Sequence, residues 1–131
     1  MTGSAIYAAD FALPGMLWLA VVRSPHAHAR IAGIDGADAS RIPGVAAVLT
    51  LAELPALAGS VPPLVPAPEF HPYHHPVLAA GRVAYAGEAV AVVAADTAYI
   101  AADGAERVSV DYEPLTASAT SPASALHGAT A

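Results

Sequence analysis

Cysteine is absent from the 131 residues. That removes disulfides, thiolate nucleophiles, Cys-ligated zinc and iron–sulfur ligation in one step. Lysine is absent as well. Five arginines face eleven acidic residues, and the net charge is −6. No basic patch exists to neutralise phosphates, so neither nucleic acid nor an anionic membrane is an expected partner. No apolar run approaches the roughly 20 residues that span a bilayer. The start of the sequence lacks the basic n-region of a signal peptide, and a cytoplasmic location is expected. The spacings G-x-G-x-x-G, G-x-x-x-x-G-K and G-x-S-x-G do not occur, so nucleotide cradling and a nucleophile elbow are unsupported.

What remains is apolar. Hydrophobic residues make up 56% of the chain and charged ones 12%. The length suits one domain with a modest core. Much of the apolar content is alanine, which buries little per residue. The excess still implies surface meant to be covered by a partner, and self-association of the isolated chain is expected.

The run Leu17 to Arg23 is apolar at every position but its last. A short unbroken run marks a strand covered on both faces, here read as the central strand of a small sheet. Pro25 ends it. His26, Ala27, His28, Ala29, Arg30 and Ile31 then alternate, as in a half-buried strand with the two histidines and Arg30 on its wet face. Asp35 is placed to cap a short helix over 37–41. Pro43-Gly44 turns the chain into a buried strand over 45–49. Thr50 to Glu53 has capping-box spacing.

Seven of the twelve prolines fall between Pro55 and Pro76. Proline lacks a donor, so this stretch reads as a loop that joins neither ladder nor helix. Arg82 to Ala94, with Ala86-Gly87 inside it, reads as a hairpin or a bent strand pair. Asp96 or Thr97 caps the next helix, whose stripe of Ala101, Gly104, Ala105 and Val108 allows close approach to the sheet. Val108, Val110 and Tyr112 alternate with Ser109, Asp111 and Glu113 in a last strand that Pro114 ends. Ser118 to Ala131 is rich in Ala, Ser and Thr and reads as a frayed tail. Strands with two helices interleaved give an α/β or α+β fold in two layers.

Candidate chemistry is thin. His26 and His28 have metal-like i, i+2 spacing, but no third ligand accompanies them, and the plainer reading is two polar strand positions. His71, His74 and His75 form a denser cluster in the Pro-rich loop. It could take zinc or nickel, and the plainer reading is a surface loop against a neighbouring domain. Asp111 and Glu113 share a strand face with no acid or base placed beside them. Glu88 is read as a backbone cap or an interdomain contact. Ser24 near His26 imitates a nucleophile–base pair without its elbow. No catalytic, cofactor-binding or metal-binding residue is assigned.

Four segments in series carry a resemblance. Gly3-x-Ala5-x-Tyr7-x-x-Asp10-x-x-x-Pro14-Gly15-Met16-Leu17 runs on through Val22-Arg23-Ser24-Pro25-His26-Ala27-His28-Ala29-Arg30-Ile31. Then come Pro43-Gly44-Val45-x-x-Val48-Leu49-Thr50, and His75-Pro76-Val77-Leu78-Ala79-x-Gly81-x-Val83-x-Tyr85-x-Gly87-Glu88-x-Val90-Ala91. The last is Asp96-Thr97 through Ala105-Glu106-x-Val108-x-Val110-Asp111-Tyr112-Glu113-Pro114-Leu115. Together they resemble the opening of the molybdopterin-binding large subunit of the xanthine dehydrogenase, aldehyde oxidase and carbon monoxide dehydrogenase family. The resemblance implies an α+β fold of the α/β hammerhead type, with a small mixed sheet and about two helices in two layers. It implies one domain over residues 1–126, the loop at 55–76 within it, and a tail at 127–131.

The same resemblance implies a scaffold and interface domain of an oxidoreductase, with catalytic domains lying elsewhere. Molybdopterin with its molybdenum, FAD and a 2Fe-2S cluster are implied for the full complex, and none for this chain. The implied partners are the remaining domains of the molybdopterin-binding subunit and flavin and iron–sulfur subunits. Two alternatives stay open: a free-standing binding module using the His-rich loop, and an inactive truncated product.

Overall fold

The computed structural model describes residues 12–54, 60–61 and 75–116. The element order is β1 (Trp18–Arg23), β2 (Ala29–Asp35), α1 (Ala37–Ser40), β3 (Val45–Leu49), β4 (Ser60–Val61), β5 (His75–Pro76), β6 (Arg82–Val83), β7 (Ala89–Ala95), α2 (Ala98–Glu106) and β8 (Ser109–Pro114). The expected α+β fold with two helices is present. Six of its strands divide between two three-stranded sheets, ordered β1-β7-β3 and β6-β2-β8, and β4 and β5 form a separate two-stranded ribbon. Every pairing is antiparallel.

The central strand of the first sheet is β7, not β1. Val90, Ala91, Val93 and Ala95 are fully buried there. Helix α2 packs on β1, β7 and β3. Thr97 caps it, its hydroxyl accepting from the Ile100 N–H at 3.2 Å. Gly104 faces Val93, and an added Cβ would lie 2.8 Å from Val93 Cγ1. The stripe of small residues therefore sets the helix-to-sheet distance.

Strand β1 departs from its expected place. Among the described residues it is an edge strand, and they cover only one of its faces. Trp18 is 43% exposed and Leu19 64%. The unbroken apolar run implies cover on both faces. Here the second cover does not come from the described residues.

The second sheet buries Ala29 and Val83 against Ala79 and Val90, with Ile31, Ile34, Val110 and Tyr112 packed around them. Apolar residues at 29, 31 and 34 break strict alternation. The reason is a bulge: Ile31 faces Tyr112 and Gly33 faces Asp111, so Ala32 has no direct partner. The extra residue returns Ile34 to the core face.

Strands β6 and β7 do not form a hairpin with each other. Arg82–Val83 pairs with β2 in the second sheet, while β7 belongs to the first. The turn between them, with Gly87 at φ +91°, carries the chain from one sheet to the other. Within the Pro-rich stretch, Ser60–Val61 pairs with His75–Pro76. Proline does join a ladder there, because each strand of a two-stranded ribbon has a free edge for it. The remainder of 55–76, His71 and His74 included, lies outside the described residues, as does the tail from 117 onward.

Candidate functional site

The residues singled out from the sequence do not converge. The strand expected from His26 begins at Ala29, so His26 and His28 do not share a strand face. His26 turns inward against Tyr112, with ring centroids 4.9 Å apart and planes tilted by 57°. The His28 Nδ1 lies 3.1 Å from the Thr116 carbonyl oxygen. His75 stands in β5, in the separate ribbon. Among the described residues, no three His, Cys, Asp or Glu side chains come together as metal ligands.

Ser24 is buried, and its hydroxyl donates to the His26 carbonyl at 3.1 Å and accepts from the His26 N–H at 3.0 Å. It closes a local turn and does not address the imidazole. Glu88 is buried as well and accepts from the Ala84 N–H at 2.6 Å. It caps the turn that passes between the sheets, which is one of the two roles its position suggested. Arg30 Nε donates to Glu113 Oε2 at 2.9 Å on an open surface. Asp111 sits near Gly33 on that same face.

The contrast between the two uncovered sheet faces is the feature sequence reasoning missed. Pairing places Arg30, Arg82 and Glu113 side by side on the outer face of the second sheet. Charge keeps that face wet. On the first sheet, the face turned away from α2 carries Leu19 opposite Ala94, Val21 opposite Val92, and Leu49 opposite Val92 on the other side. Apolar side chains fill that face, and Val92 at its middle is only half-buried. The signal was in the run Leu17 to Val22, whose second face has no covering element among the described residues.

A cavity of about 430 Å³ is lined by Ile34 of β2, by Thr50 and Leu51 after β3, and by Ala79, Ala80 and Gly81 before β6, among others. Among the described residues its lining contains no ionisable side chain, and the Thr50 hydroxyl is bonded to Glu53. A molybdenum–pterin group would need a polar cradle. Among the described residues, the buried polar ones are Ser24 and Glu88, both spent on neighbouring backbone, and the buried Tyr112 hydroxyl is a lone unpartnered oxygen rather than a cradle. The described residues therefore do not fit that group.

Among the described residues, no helix is long and apolar enough to cross a membrane. Residues 2–116 match the family described as aldehyde oxidase and xanthine dehydrogenase, a/b hammerhead domain. The gamma subunit of the 6-hydroxypseudooxynicotine dehydrogenase complex of Paenarthrobacter nicotinovorans is 43% identical over 88% of this chain and 15% of its own length. The carbon monoxide dehydrogenase large chain of Afipia carboxidovorans is 45% identical over 86% of this chain and 13% of its own. Among solved structures, reconstituted CO dehydrogenase from Oligotropha carboxidovorans superposes with a TM-score of 0.77 at 46% identity, over 86% of this chain and 13% of that one. The aldehyde oxidoreductase of Desulfovibrio desulfuricans covers 97% of this chain and 14% of its own, with a TM-score of 0.80 at 29% identity. The chain thus spans about one seventh of the relatives it matches. It belongs to the aldehyde oxidase and xanthine dehydrogenase family and corresponds to that family's α/β hammerhead domain.

Proposed function

We propose that this chain is the scaffold and interface domain of a molybdopterin-dependent hydroxylase. The reaction is oxidation of an aldehyde, an N-heterocycle or carbon monoxide, carried by domains outside these residues. None of its own residues touches the substrate. Its partners are the remaining domains of the molybdopterin-binding subunit, with flavin and iron–sulfur subunits beyond them, in the cytoplasm. Molybdopterin, FAD and the 2Fe-2S cluster belong to those partners. The domain runs over residues 1–126.

The observation that supports this most is the apolar face of the β1-β7-β3 sheet. Leu19, Val21, Val92 and Leu49 stand on it with no described element across from them. Burying such a face gains roughly 25 cal/mol per Å² of apolar surface. A domain that closed its own core would not leave it open beside a second sheet whose outer face is charged.

The test is co-expression with a polypeptide carrying the rest of a family large subunit, together with flavin and iron–sulfur subunits. The chain is expected to co-purify with them, and the assembled complex to contain molybdenum and oxidise substrate. Purified alone, the chain is expected to hold no molybdenum. Stoichiometric molybdenum and aldehyde oxidation by the chain alone would overturn the reading.

A further inference from the structure

An edge strand offers a row of unpaired N–H and C=O groups to any strand that can reach it, and folded proteins blunt such edges with charge, proline, shortness, bulges or a covering element. Among the described residues, each of the two three-stranded sheets ends in two edges, and three of those four are blunted. Strand β6 is two residues long and carries Arg82. Strand β8 carries Asp111, Glu113 and Pro114. Strand β3 has a register shift between Val45 and Ala47 and lies against α1. Among the described residues, strand β1 has none of these protections over Trp18–Val22. Its one charge, Arg23, lies past a register shift and donates through Nη1 to the Gly87 carbonyl at 2.8 Å, which ties it back to the turn.

We propose that β1 is a self-pairing edge: two copies of this chain join β1 to β1 antiparallel about a two-fold axis through Ala20, making one six-stranded sheet. The regular ladder of β1 runs from Trp18 to Val22, so Ala20 is its centre. A two-fold through Ala20 sets Trp18 against Val22 of the second copy and Leu19 against Val21. Trp18, Ala20 and Val22 share the helix-side face, and Leu19 and Val21 share the open face. Paired residues thus meet on matching faces, as an antiparallel ladder requires. Every pair is apolar, and no like charges oppose one another. Arg23 falls outside the paired stretch. The strand is complementary to itself, which is what an isologous joint demands.

The joint is short beside the about 1,200 Å² at the lower end of stable interfaces, so association depends on concentration. It stands whether or not the chain works in a hydroxylase, because it rests on the edge alone.

Sedimentation velocity across low to high micromolar concentrations tests it, with circular dichroism to confirm folding. The wild-type chain is expected to pass from monomer to dimer. Leu19→Lys and Val21→Glu, both at positions open to solvent in the single chain, are each expected to weaken the dimer about tenfold or more. Mixing the two variants restores it, because Lys at 19 of one copy then meets Glu at 21 of the other. Tyr99→Asp, on α2 and 85% exposed, leaves it unchanged. A wild-type chain that stays monomeric throughout overturns the proposal, whatever else binds the chain. So does a mixture that fails to re-form the dimer, or a dimer that either single variant leaves intact.

Discussion

Gly104 of α2 sits so close to Val93 of β7 that an added Cβ would lie 2.8 Å from Val93 Cγ1 and 3.3 Å from Val45 Cγ2. Val93 is fully buried and cannot swing away. Two effects oppose each other at Gly104→Ala. Helix propensity gains about 1 kcal/mol. Overpacking a tight core costs about 1–3 kcal/mol. The clash is with branched carbons on a central strand, so overpacking wins. Urea denaturation is expected to show a net loss of about 1 kcal/mol. A more stable variant would mean that α2 can lift from the sheet at little cost.

Glu88 joins three links of the crossing between the sheets. Its side chain accepts from Ala84, its N–H donates to Tyr85 at 3.3 Å, and its carbonyl accepts from the Ser24 N–H at 2.9 Å. Only the first is lost on substitution. Glu88→Ala leaves the Ala84 donor without its carboxylate and opens a small void. The expected cost is about 1–3 kcal/mol in thermal or chemical unfolding. Glu88→Gln keeps an acceptor oxygen of the same reach and is expected to lose less than half of that. Equal losses for the two would show that charge, not the hydrogen bond, is what holds the turn.

The local grammar of this chain was readable, and its long-range cover was not. Thr50 and Glu53 announce their capping box four residues at a time, and the structure has both halves of it. Gly104 announces close packing through its neighbours on the helical stripe. The edge position of β1 could not be read. Periodicity counts how many faces of a strand are buried, not whether the burying element lies in the same chain. The bulge at Ala32 left spacings of 29, 31 and 34 that suit either a strand or a turn of helix. Strand β6 is two residues long, and which sheet it joins is decided by β2, some fifty residues earlier. His26 was expected on a wet face because alternation was carried through Pro25's turn, where no strand exists. The scattered positions of His26, His28 and Ser24 show why spacing alone did not make a site.

The capping box carries a pH dependence. The Thr50 hydroxyl donates to the Glu53 carboxylate, and the Thr50 N–H donates to it at 2.7 Å. The hydroxyl, then the backbone N–H, hold the Glu53 carboxyl below its ordinary value of 4.5. A lowered folded-state value means that the turn gains stability above the unfolded value and loses it as pH falls through the folded one. An NMR titration of the Glu53 carboxyl carbon is expected to give a midpoint under that of a model peptide. Thr50→Val removes the larger of the two donors and moves the midpoint upward. An unchanged midpoint in Thr50→Val would mean that the side-chain bond does not persist in solution.

Ser24 is where a catalytic and an architectural reading part most cleanly. Its N–H donates to the Glu88 carbonyl, and its carbonyl accepts from the Gly87 N–H at 2.7 Å. Those two bonds hold the end of β1 to the start of β7, just past the register shift between Val22 and Arg23. The hydroxyl accepts from the His26 N–H and gives its own proton to the His26 carbonyl. A nucleophile would need that proton to lie on an imidazole nitrogen. The His26 ring is instead against Tyr112. Ser24→Ala therefore leaves the His26 N–H without its partner and is expected to cost about 1–2 kcal/mol of stability. Ser24→Thr keeps the hydroxyl and is expected to recover part of it. Incubation of the wild-type chain with a serine-directed fluorophosphonate is expected to leave its mass unchanged. Covalent labelling lost in Ser24→Ala would reassign the residue to chemistry, since a hydroxyl committed to two backbone groups has no reason to attack.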